Sequence, residues 1–111
     1  MSPSSSRRLA GVDELVLLAV ASLGDEAYGV SVQERLRTRA RTSISLGAVY
    51  AVLDRLEGEG LVRARWGEAT PRRGGRRKRL FMVTAPGLAA LRDLERIRAR
   101  LWKSEPVPGE A

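Results

Sequence analysis

The segment Pro71-Arg72-Arg73-Gly74-Gly75-Arg76-Arg77-Lys78 concentrates the chemistry of this sequence. Arginine carries a planar fork of donors that matches phosphate oxygens and guanine edges. Paired glycines let the backbone turn tightly between two arginine pairs, so such a loop can straddle a phosphate backbone or reach into a minor groove. Residues 67–79 hold six basic residues and one acidic one, a net +5 out of +7 for the 111-residue chain. A solvated face interleaves the signs instead, as residues 92–100 do with Asp93 and Glu95. The partner that this charge calls for is a polyanion.

Other chemistry is poorly supplied. Cysteine and histidine are both absent, which removes disulfides, Cys or His zinc sites, thiol nucleophiles and His-based proton transfer. Paired carboxylates could come from Asp54, Glu57 and Glu59, but Asp54 and Glu57 share a helical stretch with Arg55, and Glu59 lies between Gly58 and Gly60, where solvation explains them. Gly74-Gly75 runs into Arg76 within a hairpin rather than into a helix start, so it is no nucleotide-cradling loop. Neither an enzyme nor a cofactor is expected. The longest apolar run, Leu15 to Leu23, stops at Gly24 and Asp25, short of the ~18 residues of a membrane helix. Met1 to Arg8 is followed by no signal-like apolar segment, and a cytoplasmic location is the expectation.

The basic loop needs elements to hold it, and the length allows one domain. Residues 1–8 are Ser-rich and basic and read as a flexible arm. Val12 to Leu23 is densely apolar with Asp13 and Glu14 leading, which predicts a buried helix ended by Gly24. Val30, Val32 and Leu36 predict a second helix to about Arg39. Arg35, Arg37, Arg39 and Arg41 crowd its end, where they either complement the helix dipole or touch phosphate. Ser43-Ile44-Ser45 offers N-caps to a third helix, with Val49, Val52, Leu53 and Leu56 on its apolar face. Ser45, Gly47, Ala48, Tyr50, Ala51, Asp54 and Arg55 fall on the other side. Leu61 to Trp66 alternates at period two and Lys78 to Val83 is again extended, so the basic loop becomes the tip of a hairpin, a wing. Thr84-Ala85-Pro86 opens a fourth helix with Leu91, Leu94, Ile97 and Leu101 in one stripe, and the tail from Ser104 reads as loose. The order helix-helix-helix-strand-strand-helix, mostly α with a small β-hairpin, is that of a winged helix-turn-helix. It divides into residues 9–84 as the binding domain, 85–103 as the last helix and 104–111 as the tail.

In that fold the third helix enters the major groove and needs a narrow leading end. Ser45, Gly47 and Ala48 meet the need, while Ser43, Ser45 and Tyr50 can donate to phosphate and Arg55 lies further along the same side.

Several stretches together resemble the PadR family of bacterial transcription regulators, over about Leu15 to Leu101: Ala27-Tyr28-Gly29-Val30, the run from Ser45 through Asp54-Arg55-Leu56-Glu57, Gly60-Leu61-Val62, and the wing from Gly67 to Lys78. The sequence departs from the usual pattern at Phe81, where the family often has tyrosine, and at Leu46-Gly47-Ala48, whose order of small residues varies. The resemblance implies a homodimer packed through its carboxy-terminal helices, Leu91, Leu94, Ile97 and Leu101 among the contacts, set on a near-palindromic operator and usually repressing. With a single helix after Pro86 it looks like the short-tailed branch, some members of which bind flat aromatic compounds at the dimer interface through a tryptophan; Trp102 is the nearest equivalent. The alternatives from other classes are a nonspecific DNA- or RNA-binding basic protein and an interaction module docking through its fourth helix.

Overall fold

A computed structural model of the chain describes residues 11–67 and 78–103. The arm expected over residues 1–8, the tail expected over residues 104–111, and Arg72, Arg73, Gly74, Gly75, Arg76 and Arg77 lie outside the described residues.

Helix α1 spans Val12–Leu23, with Asp13 and Glu14 in its first turn. It buries Val16, Leu17, Ala19 and Val20. Gly24 ends it at φ 59, a left-handed backbone that glycine adopts without a Cβ penalty. After a 3-10 turn over Gly24–Glu26, helix α2 runs over Gly29–Arg39 and buries Val32 and Leu36. Helix α3, Leu46–Gly58, lays Val49, Val52, Leu53 and Leu56 into the same core. Val30 belongs to the apolar pattern that predicts α2, but it is about half exposed.

The end of α3 is tied directly to the hairpin. Gly60 takes φ 78, its N–H donates to the Glu57 carbonyl (3.0 Å), and the Leu61 N–H donates to the Leu56 carbonyl (2.9 Å). This pair of bonds satisfies carbonyls that the helix end leaves open and turns the chain straight into a strand. Strands β1, Val62–Trp66, and β2, Arg79–Val83, pair antiparallel with Val62 opposite Val83 and Trp66 opposite Arg79. A further antiparallel bridge joins Tyr28 to Leu80, and the Phe81 N–H donates to the Ala27 carbonyl (2.9 Å). The link between α1 and α2 thus forms a short extra rung on the hairpin. Phe81 fills the core beneath it, 2% exposed.

Helix α4 spans Ala85–Trp102 with Pro86 in its first turn. The Thr84 hydroxyl accepts from the Gly87 N–H (3.1 Å) and donates to the Gly60 carbonyl (2.6 Å), so one residue caps α4 and holds it against the end of α3. The helix leaves the core along its length: Leu91 is buried, Leu94 half-buried, and Ile97, Leu101 and Trp102 are exposed. Among the described residues no helix is long and apolar enough to cross a membrane.

Gly87 sits against the Leu61 backbone carbonyl, and a Cβ there would also lie 2.8 Å from Val83 Cγ1. Neither neighbour can swing away cheaply. Gly87→Ala is expected to destabilise the fold by ~1–3 kcal/mol, the range for overpacking. Gly58→Ala, with nothing near the added carbon, should be neutral or mildly stabilising. Thermal unfolding of the two variants, read side by side, checks the difference.

Candidate nucleic-acid interface

The outward face of α3 is set by the inward one. Once Val49, Val52, Leu53 and Leu56 are committed to the core, Gly47, Ala48, Tyr50 and Ala51 must face away, and all four are exposed. Ser45 is the N-cap: its hydroxyl accepts from the Ala48 N–H at 3.0 Å. Ser43 is exposed in the turn before it. That turn is held by Gln33, whose side-chain amide donates to the Ile44 carbonyl (2.9 Å), and by the Thr42 N–H donating to the Leu36 carbonyl (3.0 Å). The leading end of α3 therefore offers one hydroxyl-bearing cap and two very small side chains, a profile that lets the backbone approach another surface closely.

Ser43, Ser45, Gly47, Ala48 and Tyr50 come together on this surface, in agreement with the sequence pattern. Arg55 is placed otherwise. Its guanidinium grips Asp13 of α1 with two bonds, Nε to Oδ2 at 3.0 Å and Nη2 to Oδ1 at 2.7 Å. Asp13 raises the Arg55 pKa above its ordinary value, first through these hydrogen bonds and then through charge attraction. Arg55 thus fastens α3 to α1.

Arg79 also departs from expectation. Its place in the sequence groups it with the wing charge, yet its guanidinium bonds Glu57 (2.7 Å) and lies 3.5 Å from Asp54, while packing over the Phe81 ring at 5.2 Å. The carboxylates that solvation alone would explain therefore tie the hairpin to α3. Arginine and carboxylate lie 22 and 25 residues apart here, and only the strand pairing brings them together. Lys78, the one member of the basic loop within the described residues besides Arg79, places its ammonium over the Tyr28 ring, 4.1 Å from the centroid. Along α2, Arg35 donates to the Ser22 hydroxyl (2.9 Å) and Arg37 pairs with Glu34, leaving Arg39 and Arg41 exposed at the helix end.

On α4, Leu91 belongs to the chain's own core, so the open part of the apolar stripe begins at Leu94 and continues through Ile97 and Leu101. Trp102 stands 84% exposed at the helix end. One turn earlier Arg98 pairs with Glu14 of α1. Among the described residues no group of His, Cys, Asp and Glu could hold a metal ion.

Three helices, a two-stranded hairpin set against the third, and a closing helix define a winged helix-turn-helix. The model of the transcriptional regulator PadR-like family matches residues 17–93, and the chain belongs to that family of transcription regulators. Among solved structures, a PadR-like transcription factor from Bacteroides fragilis is similar at 24% identity and a TM-score of 0.70, covering 84% of each chain. A PadR family regulator from Eggerthella lenta is similar at 29% identity and a TM-score of 0.61, over 80% of this chain and 75% of that one. Bacillus subtilis PadR, solved in complex with operator DNA, has the same fold at 19% identity and a TM-score of 0.61; 90% of this chain matches 52% of that one. No curated protein matches the chain.

Tyr50 owes its position to Gly29. Its ring lies across the first residue of α2, where a Cβ would sit 2.9 Å from Cε1 and closer still to the hydroxyl. The ring is the movable partner, since Tyr50 is 36% exposed. Gly29→Ala is therefore expected to displace the ring and to cost less stability than Gly87→Ala. In a Tyr50→Ala background the same change should become neutral or gain up to about 1 kcal/mol from helix propensity. A double-mutant cycle of unfolding free energies reads that coupling.

Proposed function

We propose that this regulator is a cytoplasmic homodimer that binds a near-palindromic duplex operator sequence-selectively, represses transcription there, and is released by a small aromatic or hydrophobic effector. The observation that carries the DNA-binding part is the leading end of α3. Ser45, Gly47 and Ala48 stand exposed and nearly without side-chain bulk, on a helix whose other face is locked into the core. A helix so presented can lie deep in a major groove, with Ser43, Ser45 and Tyr50 donating to phosphates at its flanks. The fold shared with Bacillus subtilis PadR, which was solved on operator DNA, supports the same reading.

The arginines of the basic loop complete it. Arg72, Arg73, Arg76 and Arg77 with Lys78 follow β1 and precede β2 in the sequence, and the glycines Gly74 and Gly75 allow a tight turn between the arginine pairs that could straddle a phosphate backbone. Electrostatic contacts of this kind position the protein, whereas the small residues of α3 decide which base edges fit.

The dimer reading is supported by the exposed apolar half of α4. Leu94, Ile97 and Leu101 lie on one side and are only partly covered or uncovered by the chain itself. A second copy gives them apolar cover, at roughly 25 cal/mol per Å² of area removed from water. The two-fold symmetry of such a pair then calls for a palindromic operator. Release by an effector requires a compound that binds two arrangements of the subunits unequally, and Trp102 at the end of α4 offers it an aromatic face.

Binding to labelled duplex DNA from upstream of its own gene, against scrambled duplex and structured RNA over a salt series, tests the reading. Steep salt dependence and preference for the cognate duplex are expected. Replacing Arg72, Arg73, Arg76 and Arg77 with Ala should weaken binding to every duplex and lower the logarithmic salt slope by up to ~0.9 for each phosphate no longer neutralised. Changes at Gly47 or Ala48 should alter sequence preference instead. Equal binding to all three nucleic acids would contradict selective duplex recognition.

A further inference from the structure

Tyr28, Val30, Tyr50, Trp66, Lys78 and Arg79 enclose a cleft of about 430 Å³ beside the outward face of α3. Its construction is unusual for a surface that serves packing alone. Trp66 is 59% exposed on β1 and Val30 is 51% exposed on α2, so the chain leaves half or more of each open. Three aromatic rings thus converge where α2, α3 and the loop end of the hairpin strands meet, with Tyr28 brought there by its bridge to Leu80.

The charges around the cleft are sorted. Arg79 is engaged by Glu57 and Asp54, so its single charge offsets one of the two carboxylates of α3 on that side and leaves Lys78 as the cation open to a ligand. Lys78 is held over the Tyr28 ring and carries no ion pair among those of the described residues. The cleft therefore joins apolar ring faces to one ammonium and to the hydroxyl of Tyr50, which belongs to the exposed face of α3 as well. Ring faces suit a furanose, and a cation beside a hydroxyl suits a phosphate.

We propose that this cleft seats one deoxyribose-phosphate unit of the DNA strand bordering the base pairs that face α3. The sugar lies against Trp66 and Tyr28, and Lys78 Nζ and the Tyr50 hydroxyl hold the phosphate. Trp66, Tyr28 and Val30 thereby join the interface as positioning residues, setting how deeply α3 sits in the groove without reading a base. The proposal rests on the DNA-binding reading above.

The test uses the whole chain labelled with 5-fluorotryptophan, which gives one fluorine resonance each for Trp66 and Trp102, assigned by Trp66→Phe. The probe is a fluorescein-labelled duplex selected by the protein from random-sequence DNA, and anisotropy reports binding in the same samples. The Trp66 resonance is expected to shift in step with anisotropy. Trp66→Ala should lose about tenfold in affinity for every duplex, the order of effect of withdrawing one aromatic face, while Trp66→Phe keeps most of it. Lys78→Met should lower the logarithmic salt slope by ~0.9. If anisotropy shows the duplex bound while the Trp66 resonance stays put and Trp66→Ala binds normally, the cleft is not part of the interface and the DNA-binding reading stands. If no duplex is bound, that reading fails and the cleft assignment with it.

Discussion

The burial of four side chains on one face of α3 governs what its other face can do. Val49, Val52, Leu53 and Leu56 pack with Val16, Leu17 and Val20 of α1 and Val32 and Leu36 of α2 in a core that contains no buried polar or charged side chain among the described residues. Each fully buried aliphatic residue contributes ~1.5–3 kcal/mol, so this face outweighs every polar contact the helix makes. Apolar burial is non-directional, however, and would tolerate some rolling of the helix about its axis. Directional contacts remove that freedom. Ser45 caps the start of the helix, the paired backbone bonds through Gly60 and Leu61 close its end, and Arg55 and Arg79 pin its flanks to α1 and β2.

The pins are ion pairs near the surface, where water and salt screen their attraction, so their part is to orient rather than to stabilise. Their arrangement matters more than their strength. Asp13 and Glu14 are neighbours in the first turn of α1; one holds Arg55 of the helix proposed to meet DNA, and the other holds Arg98 of the helix proposed to meet a second chain. The two ends of the proposed function are thereby referred to one turn of one helix. In the proposed role, the small side chains at the front of α3 depend on these contacts to fix how that front is presented.

Much of this is legible in the sequence, because the signals are local. The bounds of α1 and the caps Ser45 and Thr84 are decided by residues within a turn of each helix end, and the strand alternation of residues 61–66 by period alone. Local pattern does not show pairing across the fold. Arg55 has the spacing of an outward residue, yet Asp13, 42 positions away, claims it. Arg79 reads as wing charge until the hairpin register sets it beside Glu57. Tyr28 looks like a turn residue, and only its bridge to Leu80 brings it next to Trp66 and Lys78. Leu91 and Leu101 share a helical stripe, but the tilt of α4 away from the core buries one and exposes the other, a difference that periodicity cannot carry.

Selection of a symmetric sequence in duplex DNA is the property on which the proposed role of α3 stands most directly. Repeated selection of bound molecules from a random duplex pool, followed by sequencing, measures it. The predicted result is enrichment of two inverted half-sites with centres about one helical turn, ~10 base pairs, apart, as two copies of α3 on one face of the duplex require. A pool that stays random while binding remains salt-sensitive would mean that the basic surface grips nucleic acid without reading it, and would contradict the role given to the leading end of α3.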